Sequence, residues 1–370
     1  MMFRLLNFEY NNLLMKKLFT LLLSLFAFSG FAAEPAEEGG KFDPGQMITH
    51  HIGDEHSWEF AHGATLHLPV ILYGKNGLDI FSSKNFYDEH GNLKPYNGYV
   101  KEHGHIYYAN EAGEPLTETN AEGEEHHAGP LDFSITKNVA SLFLSVALLL
   151  IIFFTIAGRY KANAGKAPKG IQSFFEPIII FIRDEVAKPN IGPKYERYVP
   201  YLLTIFFFIW FNNMLGLMPG GANLTGNIAV TMVLAVFTLL VTLFSSNKAY
   251  WAHIFKTPGV PVALLPIMIP IELVGILTKP FSLMVRLFAN ITAGHIIILS
   301  LFSLIFIFES IAIGPVSVAF AVFMNFLELF VALLQAYVFT LLTAMYFGGA
   351  TEEHDHVEDM GFGGNVKDHH

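Results

Sequence analysis

Cysteine is absent from this 370-residue sequence, and charged residues make up only 15% of it. Without cysteine the chain has neither a disulfide framework nor thiolate ligands for a metal. Because 52% of the residues are hydrophobic, the composition is too apolar for an ordinary soluble domain and is typical of a polytopic membrane protein. The formal net charge of −10 argues against nucleic acid as a partner.

A nucleotide-binding motif is also lacking. The stretch GGANLTGN has the glycine spacing of a phosphate-binding loop, but Asn227 stands where that motif has lysine. We therefore expect no catalytic site, no bound cofactor and no metal site in this chain.

Residues 1–33 have the pattern of a cleavable secretory signal. A basic pair follows Met15, which is an alternative start, and a short apolar run leads to small residues before an acidic stretch. We predict cleavage near Ala32 or Ala33; an uncleaved anchor helix is the alternative.

Residues 34–132 are polar and hold ten of the sixteen histidines. Polar and apolar residues alternate around the turn signal GKNG at 74–77, which predicts a small β-rich module. Since this region follows a signal sequence, we place it outside the cytoplasm. The histidines suggest metal binding, but no spacing matches a defined site, and dispersed surface histidines are the alternative.

Residues 133–350 form the predicted membrane domain, and the overall fold class is an all-α polytopic membrane protein. Apolar stretches at 135–157, 198–218 and 227–246 are long enough to cross a bilayer. Lysine and arginine in 159–169 and lysine in 248–256 place those flanks in the cytoplasm. Charges inside the apolar run 171–189 favour an interfacial helix. The acidic tail 351–370 is expected to be cytoplasmic.

Two longer apolar segments, 260–308 and 315–347, complete the membrane domain. The first would measure about 73 Å as one helix, against a hydrocarbon core of about 30 Å. It must therefore tilt strongly or break, and Pro266, Pro270 and Pro280 are places to bend. We predict that the two segments form a long, strongly tilted helical hairpin turning near residues 309–315.

Four polar residues of these segments fit one hairpin register. Arg286 opposite Gln335, and His295 opposite Glu328, agree to within two residues and place the turn near Ile311. At about 100° per residue, Glu328 and Gln335 share a face, whereas His295 points away from the face of Arg286.

The first long segment also carries Glu272 and Asn290 on the face of Arg286. From the cytoplasmic side outward the order is Glu272, Arg286, Asn290, His295. Because a cation in hydrocarbon costs on the order of 3 kcal/mol or more, a buried arginine needs a function. Two polar half-paths separated by a permanent positive charge would provide one.

The stretches KPFSLMVRLFANITAGH and NFLELFVALLQAYVFTLLTAMYF resemble subunit a of the rotary F-type ATP synthase, the membrane stator of its proton channel. The resemblance is specific over 260–350 and fainter back to about 134. Arg286 and Asn290 match the family motif R-L-x-x-N. An acid and a histidine form the family's outer polar pair, and here His295 comes first and Glu328 second, as in mitochondrial members. Gln335 and Glu272 match further polar positions.

The resemblance implies that Arg286 faces a carboxylate on a rotating ring of small membrane subunits, subunit c. It also implies a peripheral-stalk partner, subunit b, and the remaining ATP synthase complex, where ATP chemistry would take place. Glu272, Asn290, His295, Glu328 and Gln335 would line the proton path. The implied location is the inner membrane of a bacterium.

Several alternatives stay open. The same stator could move Na⁺ instead of H⁺, a choice that depends mainly on the ring. A secondary transporter predicts internal repeats, which we do not find, and a metal-delivery protein would use the histidines. For His295 and Glu328, a hydrogen-bonded pair that only tightens the hairpin is the structural alternative.

Overall fold

The computed structural model describes residues 45, 53–61, 64–75, 77–102, 104–119, 125–162, 165, 167–218, 220–255, 262–308 and 314–351. The predicted signal segment and the acidic tail beyond residue 351 lie outside these residues. Five helical stretches of the described chain are long and apolar enough to cross a membrane: Lys137–Lys161, Ile171–Gly216, Ile228–Ser245, Leu265–Leu304 and Gly314–Thr351. The protein is a multi-pass membrane protein.

The helical region follows the sequence prediction closely for three spans. The helices are α1 (Lys137–Ala162), α2 (Ile171–Phe181), α3 (Lys188–Ile191), α4 (Tyr195–Gly216), α5 (Ile228–Ser245), α6 (Lys248–Phe255), α7 (Leu265–Ile307) and α8 (Gly314–Thr351). A π-helical turn, Ile182–Ala187, joins α2 to α3. The spans predicted at 135–157, 198–218 and 227–246 correspond to α1, α4 and α5, with ends that differ by a few residues.

The N-terminal segment, residues 53–134, contains short strands in small antiparallel sheets. They are β1 (Ser57–Ala61), β2 (Ala64–His67), β3 (Pro69–Gly74), β4 (Gly77–Ser82), β5 (Tyr99–Glu102), β6 (His105–Tyr108), β7 (Thr117–Thr119), β8 (Glu125–His127) and β9 (Leu131–Asp132). The largest sheet has the order β4-β3-β9, and the other pairs are β1–β2, β5–β6 and β7–β8. The hairpin predicted at GKNG is present, with Gly74 paired to Gly77, but no larger β structure is seen in the described residues.

A small core holds part of this segment together. It consists of Val70, Leu72, Phe86, Tyr99 and Ile106, all buried. Among the described residues, no group of three or more histidine, aspartate or glutamate side chains is placed to hold a metal ion.

The N-terminal segment is joined to the start of α1 by polar contacts. The backbone N–H of Asn138 donates to Asp54 Oδ1 at 3.2 Å, and the backbone N–H of Lys137 donates to the Glu55 carbonyl at 2.8 Å. Lys101 Nζ lies 2.5 Å from Glu55 Oε2. Burial alone lowers the pKa of Lys101, but the Glu55 charge and hydrogen bond outweigh it, so that this pKa lies above its usual value.

The stretch 171–191, predicted to be an interfacial helix, packs against the spans through one of its faces. The chain reverses at Gly192, whose φ of 75° suits glycine. The ring centroid of Phe175 then lies 5.6 Å from that of Phe207 and 6.2 Å from that of Phe211. These ring contacts pack the start of the stretch against α4.

The two long segments form the predicted hairpin. The first is the continuous 43-residue helix α7, with Pro270 and Pro280 inside it, so that neither proline breaks it. Helix α8 packs on α7 and also on α4, where the rings of Tyr198 and Phe347 are 5.0 Å apart. The core of the bundle lies among these three helices and includes Leu202, Phe207, Ile209, Leu283, Leu287, Phe339 and Phe347.

Candidate functional site

His295 and Glu328 meet inside the α7–α8 hairpin, as the register predicts. His295 Nδ1 lies 2.6 Å from Glu328 Oε1, and the two side chains are 12% and 4% exposed. The same nitrogen lies 3.1 Å from the Ile291 carbonyl oxygen, and Nε2 lies 3.3 Å from the Gly216 carbonyl oxygen. The approach of Nδ1 to Glu328 Oε1 lacks the alignment of a full hydrogen bond.

All three oxygens around the imidazole of His295 are potential acceptors. A neutral imidazole has one N–H, which Nε2 can donate to Gly216 while Nδ1 accepts from the O–H of a neutral Glu328 carboxyl. Alternatively, both nitrogens carry protons and Glu328 is ionised. In the first case one proton lies on Glu328 and in the second on Nδ1, and the two atoms Nδ1 and Oε1 are 2.6 Å apart.

Gly294 allows this close approach. A Cβ on Gly294 would lie 2.8 Å from Glu328 Oε1 and 2.9 Å from its Cδ. The carboxyl of Glu328 thus rests on the backbone of α7, in line with the close packing that small residues permit between membrane helices.

Asn290 and Gln335 form the second contact of the hairpin. Asn290 Nδ2 donates to Gln335 Oε1 at 2.9 Å, and Gln335 is buried. The hairpin register, which set Arg286 at the depth of Gln335, does not by itself predict this contact. Asn290, one turn along α7 from Arg286, makes the contact with Gln335.

Arg286 lies on the exposed face of α7, opposite to the inward-facing His295. Its side chain makes no hydrogen bond or ion pair with any residue that the structure describes. Small residues Ala289 and Ala293 continue the exposed face, together with Asn290. Bulky apolar side chains of α8, including Phe323 and Phe330, are exposed as well. A fixed cation is thus presented on an otherwise apolar surface with room beside it.

Glu272 lies half-buried near the other end of α7. Burial, together with the negative charge of Glu272, raises the pKa of Tyr250 in α6. Further along α7, Lys279 Nζ lies 5.6 Å from the ring centroid of Tyr346, and Tyr346 is within electrostatic range of Arg286.

A narrow cleft lies among side chains of α5, α6, α7 and α8. It is lined by Thr238, Thr242, Tyr250, Ile276, Lys279, Pro280 and Tyr346. Along the axis of α7, the level between Glu272 and Arg286 therefore contains hydroxyl groups of threonine, phenol groups of tyrosine and the ammonium group of Lys279. The sequence analysis did not select these residues.

Asn213 is a second residue that sequence reasoning missed. Its Nδ2 donates to the Ala332 carbonyl of α8 at 3.0 Å, and its Oδ1 accepts from Thr225 Oγ1 at 2.7 Å. Asn212 and Asn213 are both buried in an apolar helix. Since uncharged polar residues inside a span are costly unless paired, this asparagine pair was an available signal.

Comparison with known proteins identifies the chain. The family model of the ATP synthase A chain matches residues 139–348. The chain belongs to that family. The resemblance to subunit a of the F-type ATP synthase is thereby confirmed. A second model, a domain of unknown function named DUF8433, matches residues 47–133.

Relatives named as subunit a share much of the sequence. ATP synthase subunit a of Chloroherpeton thalassium is 49% identical over 237 residues, which cover 62% of this chain and 71% of the relative. Subunit a 2 of Chlorobaculum tepidum is 53% identical over 232 residues, covering 60% and 65%. Subunit a 2 of Chlorobium luteolum is 41% identical over 331 residues, covering 86% and 81%. The last match extends into the N-terminal segment.

Proposed function

We propose that this chain is the stationary membrane subunit of an F-type ATP synthase and provides two half-paths for protons, separated by Arg286. Family membership supports the assignment to the complex. The observation that carries the detailed proposal is the exposed and unpaired Arg286 on the apolar face of α7. A cation in that position needs an anionic partner from another chain, because its cost in hydrocarbon is several kcal/mol.

The partner we propose is a carboxylate on each subunit of the rotating ring, subunit c. Such a group crosses lipid only when it is neutral, since burial penalises the charged form. Beside Arg286 the ionised form is favoured, so that the proton leaves there on one side and is regained from the other. Arginine suits this task because it stays protonated and cannot relay protons itself.

The outer half-path would use the His295–Glu328 pair, whose transferable proton spans 2.6 Å. The inner half-path would run from Glu272 past Tyr250 and Lys279 to Arg286, along the cleft between α5, α6, α7 and α8. Asn290 and Gln335 would hold α7 and α8 together beside Arg286 at 2.9 Å. The chain itself would carry out no ATP chemistry.

This function places the chain in a bacterial inner membrane, with the N-terminal segment outside and residues after 351 in the cytoplasm. Peripheral-stalk subunit b would hold the chain against rotation. The transported ion would be H⁺, and exchange of a proton between a histidine and a carboxylate near neutral pH is chemically suited to that ion.

The test is ATP-driven proton pumping by the assembled complex in inverted vesicles. Arg286→Ala should abolish pumping, and Arg286→Lys should leave little, because a lysine can lose its proton when buried. The control is Arg183→Ala, since Arg183 is paired to Asp184 at 2.7 Å on an exposed surface. Pumping at the wild-type rate by assembled Arg286→Ala would refute the proposal, and strict dependence of pumping on Na⁺ would replace the proposed ion.

A further inference from the structure

The loop between α4 and α5, residues 217–227, contacts the candidate proton path through its backbone. At its first end, the Gly216 carbonyl oxygen lies 3.3 Å from His295 Nε2. Near its other end, the Gly226 carbonyl accepts from Thr292 Oγ1 at 3.4 Å. The loop thus accepts from Thr292 of α7, and the last residue of α4, from which the loop starts, faces His295.

The loop is packed directly on the end of α4. A Cβ on Gly216 would lie 3.5 Å from the Ala222 carbonyl oxygen, which is ordinary contact distance. A Cβ on Gly221 would clash with the Leu215 carbonyl oxygen. With no side chain between loop and helix, a shift of residues 220–222 is transmitted to Gly216.

Trp58 of the N-terminal segment holds this loop from the other side. Its Nε1 donates to the Gly220 carbonyl oxygen at 2.6 Å. Its buried ring, 7% exposed, clusters with Leu68 and Ala222, and Ala140 of α1 packs against that cluster. The contact combines a buried hydrogen bond with apolar packing, so that both the orientation and the position of the loop are fixed.

We propose that Trp58 is a positioning residue for the His295–Glu328 pair, and that the N-terminal segment thereby sets the pH dependence of proton entry. Trp58 fixes Gly220, the loop backbone fixes Gly216, and the Gly216 carbonyl faces His295 Nε2. The inference rests on the function proposed above, because it assumes that His295 takes part in proton transfer.

The experiment uses the complete ATP synthase in proteoliposomes, with ATP synthesis driven by an acid–base jump. The pH of the compartment that the N-terminal segment faces is varied. Trp58→Phe keeps an aromatic ring against Leu68 but removes the N–H, whereas Trp58→Tyr keeps a donor at the ring edge. Loss of one buried hydrogen bond should slow synthesis about two- to ten-fold and shift the midpoint of the pH profile. The tyrosine variant should remain closer to wild type.

The matched control is Trp251→Phe, because Trp251 stacks on Phe255 within α6 and should show the wild-type profile. A wild-type profile for Trp58→Phe, or equal shifts for the phenylalanine and tyrosine variants, would overturn the inference. So would failure of both variants to assemble, since Trp58 would then act in folding of the subunit. Arg286→Ala separates the two proposals: if it still pumps, the proposed function fails, whatever the Trp58 variants do.

Discussion

At the residue scale, the close contact between α7 and α8 depends on a glycine, Gly294, which has no side chain. Gly294 leaves room for the Glu328 carboxyl, which therefore lies close enough to His295 for a 2.6 Å approach. Any side chain at position 294 must displace either the carboxyl or one of the helices. Because interiors are packed without spare volume, the proton-holding pair and the helix packing are linked through this single position.

Gly294→Ala is predicted to impair proton pumping in an assembled complex. The new Cβ would meet Glu328 Oε1 at 2.8 Å, and overpacking of this kind costs about 1–3 kcal/mol. Pumping in inverted vesicles should fall about five-fold or more. The control is Gly275→Ala on the same helix, where a Cβ would meet nothing within 4 Å. Equal pumping by both variants would contradict the role assigned to Gly294.

The sequence predicted which face of a helix a residue occupies better than it predicted which residue that side chain contacts. The nine-residue separation of Arg286 and His295 correctly predicted opposite faces, since it follows from helix geometry alone. The register placed Arg286 at the depth of Gln335 but did not predict which residue contacts Gln335, because a shared depth does not fix which side chain on a turn points at the neighbouring helix. Asn290 makes that contact at 2.9 Å, and Arg286 stays exposed.

At the element scale, the ends of helices are held together by backbone contacts that composition does not reveal. Gly348 of α8 lies against the Asn190 carbonyl of α3: a Cβ there would be sterically impossible without movement. Close to this contact, the backbone N–H of Asn247 donates to the Ala350 carbonyl at 3.0 Å. Helix α8 is therefore fixed to both α3 and the start of α6 at one end.

Gly348→Ala is predicted to separate α8 from α3 and to destabilise the subunit. Overpacking costs about 1–3 kcal/mol, which should lower the melting temperature of the purified subunit in detergent by several degrees. Gly349→Ala is the adjacent control, because a Cβ on Gly349 would meet nothing within 4 Å. A melting temperature that is equal for the two variants would show that α3 does not pack on α8 at this point.

The elements themselves were predictable where length and hydropathy suffice. Helices α1, α4 and α5 and the α7–α8 hairpin follow from apolar length and register. The charges in the stretch 171–191 predicted an interfacial helix, and that position relative to the membrane stays a prediction. Arg183 and Asp184 pair with each other on the exposed side, while Ile182 and Val186 are buried. One face of this stretch thus packs in the bundle and the other carries the charges.

At the scale of the whole molecule, the N-terminal segment is attached to the membrane helices by contacts between residues far apart in the chain. Trp58 and Gly220 are 162 residues apart, and Asp54 and Asn138 are 84 apart. Periodicity and turn signals act over a few residues, so they predicted the β3–β4 hairpin but not this attachment. The candidate proton path and the segment meet through the loop 217–227, which the sequence analysis considered only for its resemblance to a phosphate-binding loop.

The attachment at α1 leads to a prediction about Asp54. Its Oδ1 accepts from the Asn138 amide and so acts as an N-cap supplied from outside the helix; loss of such an acceptor costs about 1 kcal/mol. Asp54→Ala should therefore speed hydrogen–deuterium exchange in the first turn of α1 about five-fold, while amides in the middle of α1 keep their protection. Asp54→Asn retains an acceptor oxygen and should exchange nearly as slowly as wild type. If the alanine variant exchanges no faster than the asparagine variant, Asp54 does not cap α1, and the N-terminal segment is attached to the membrane helices mainly through Glu55 and Trp58.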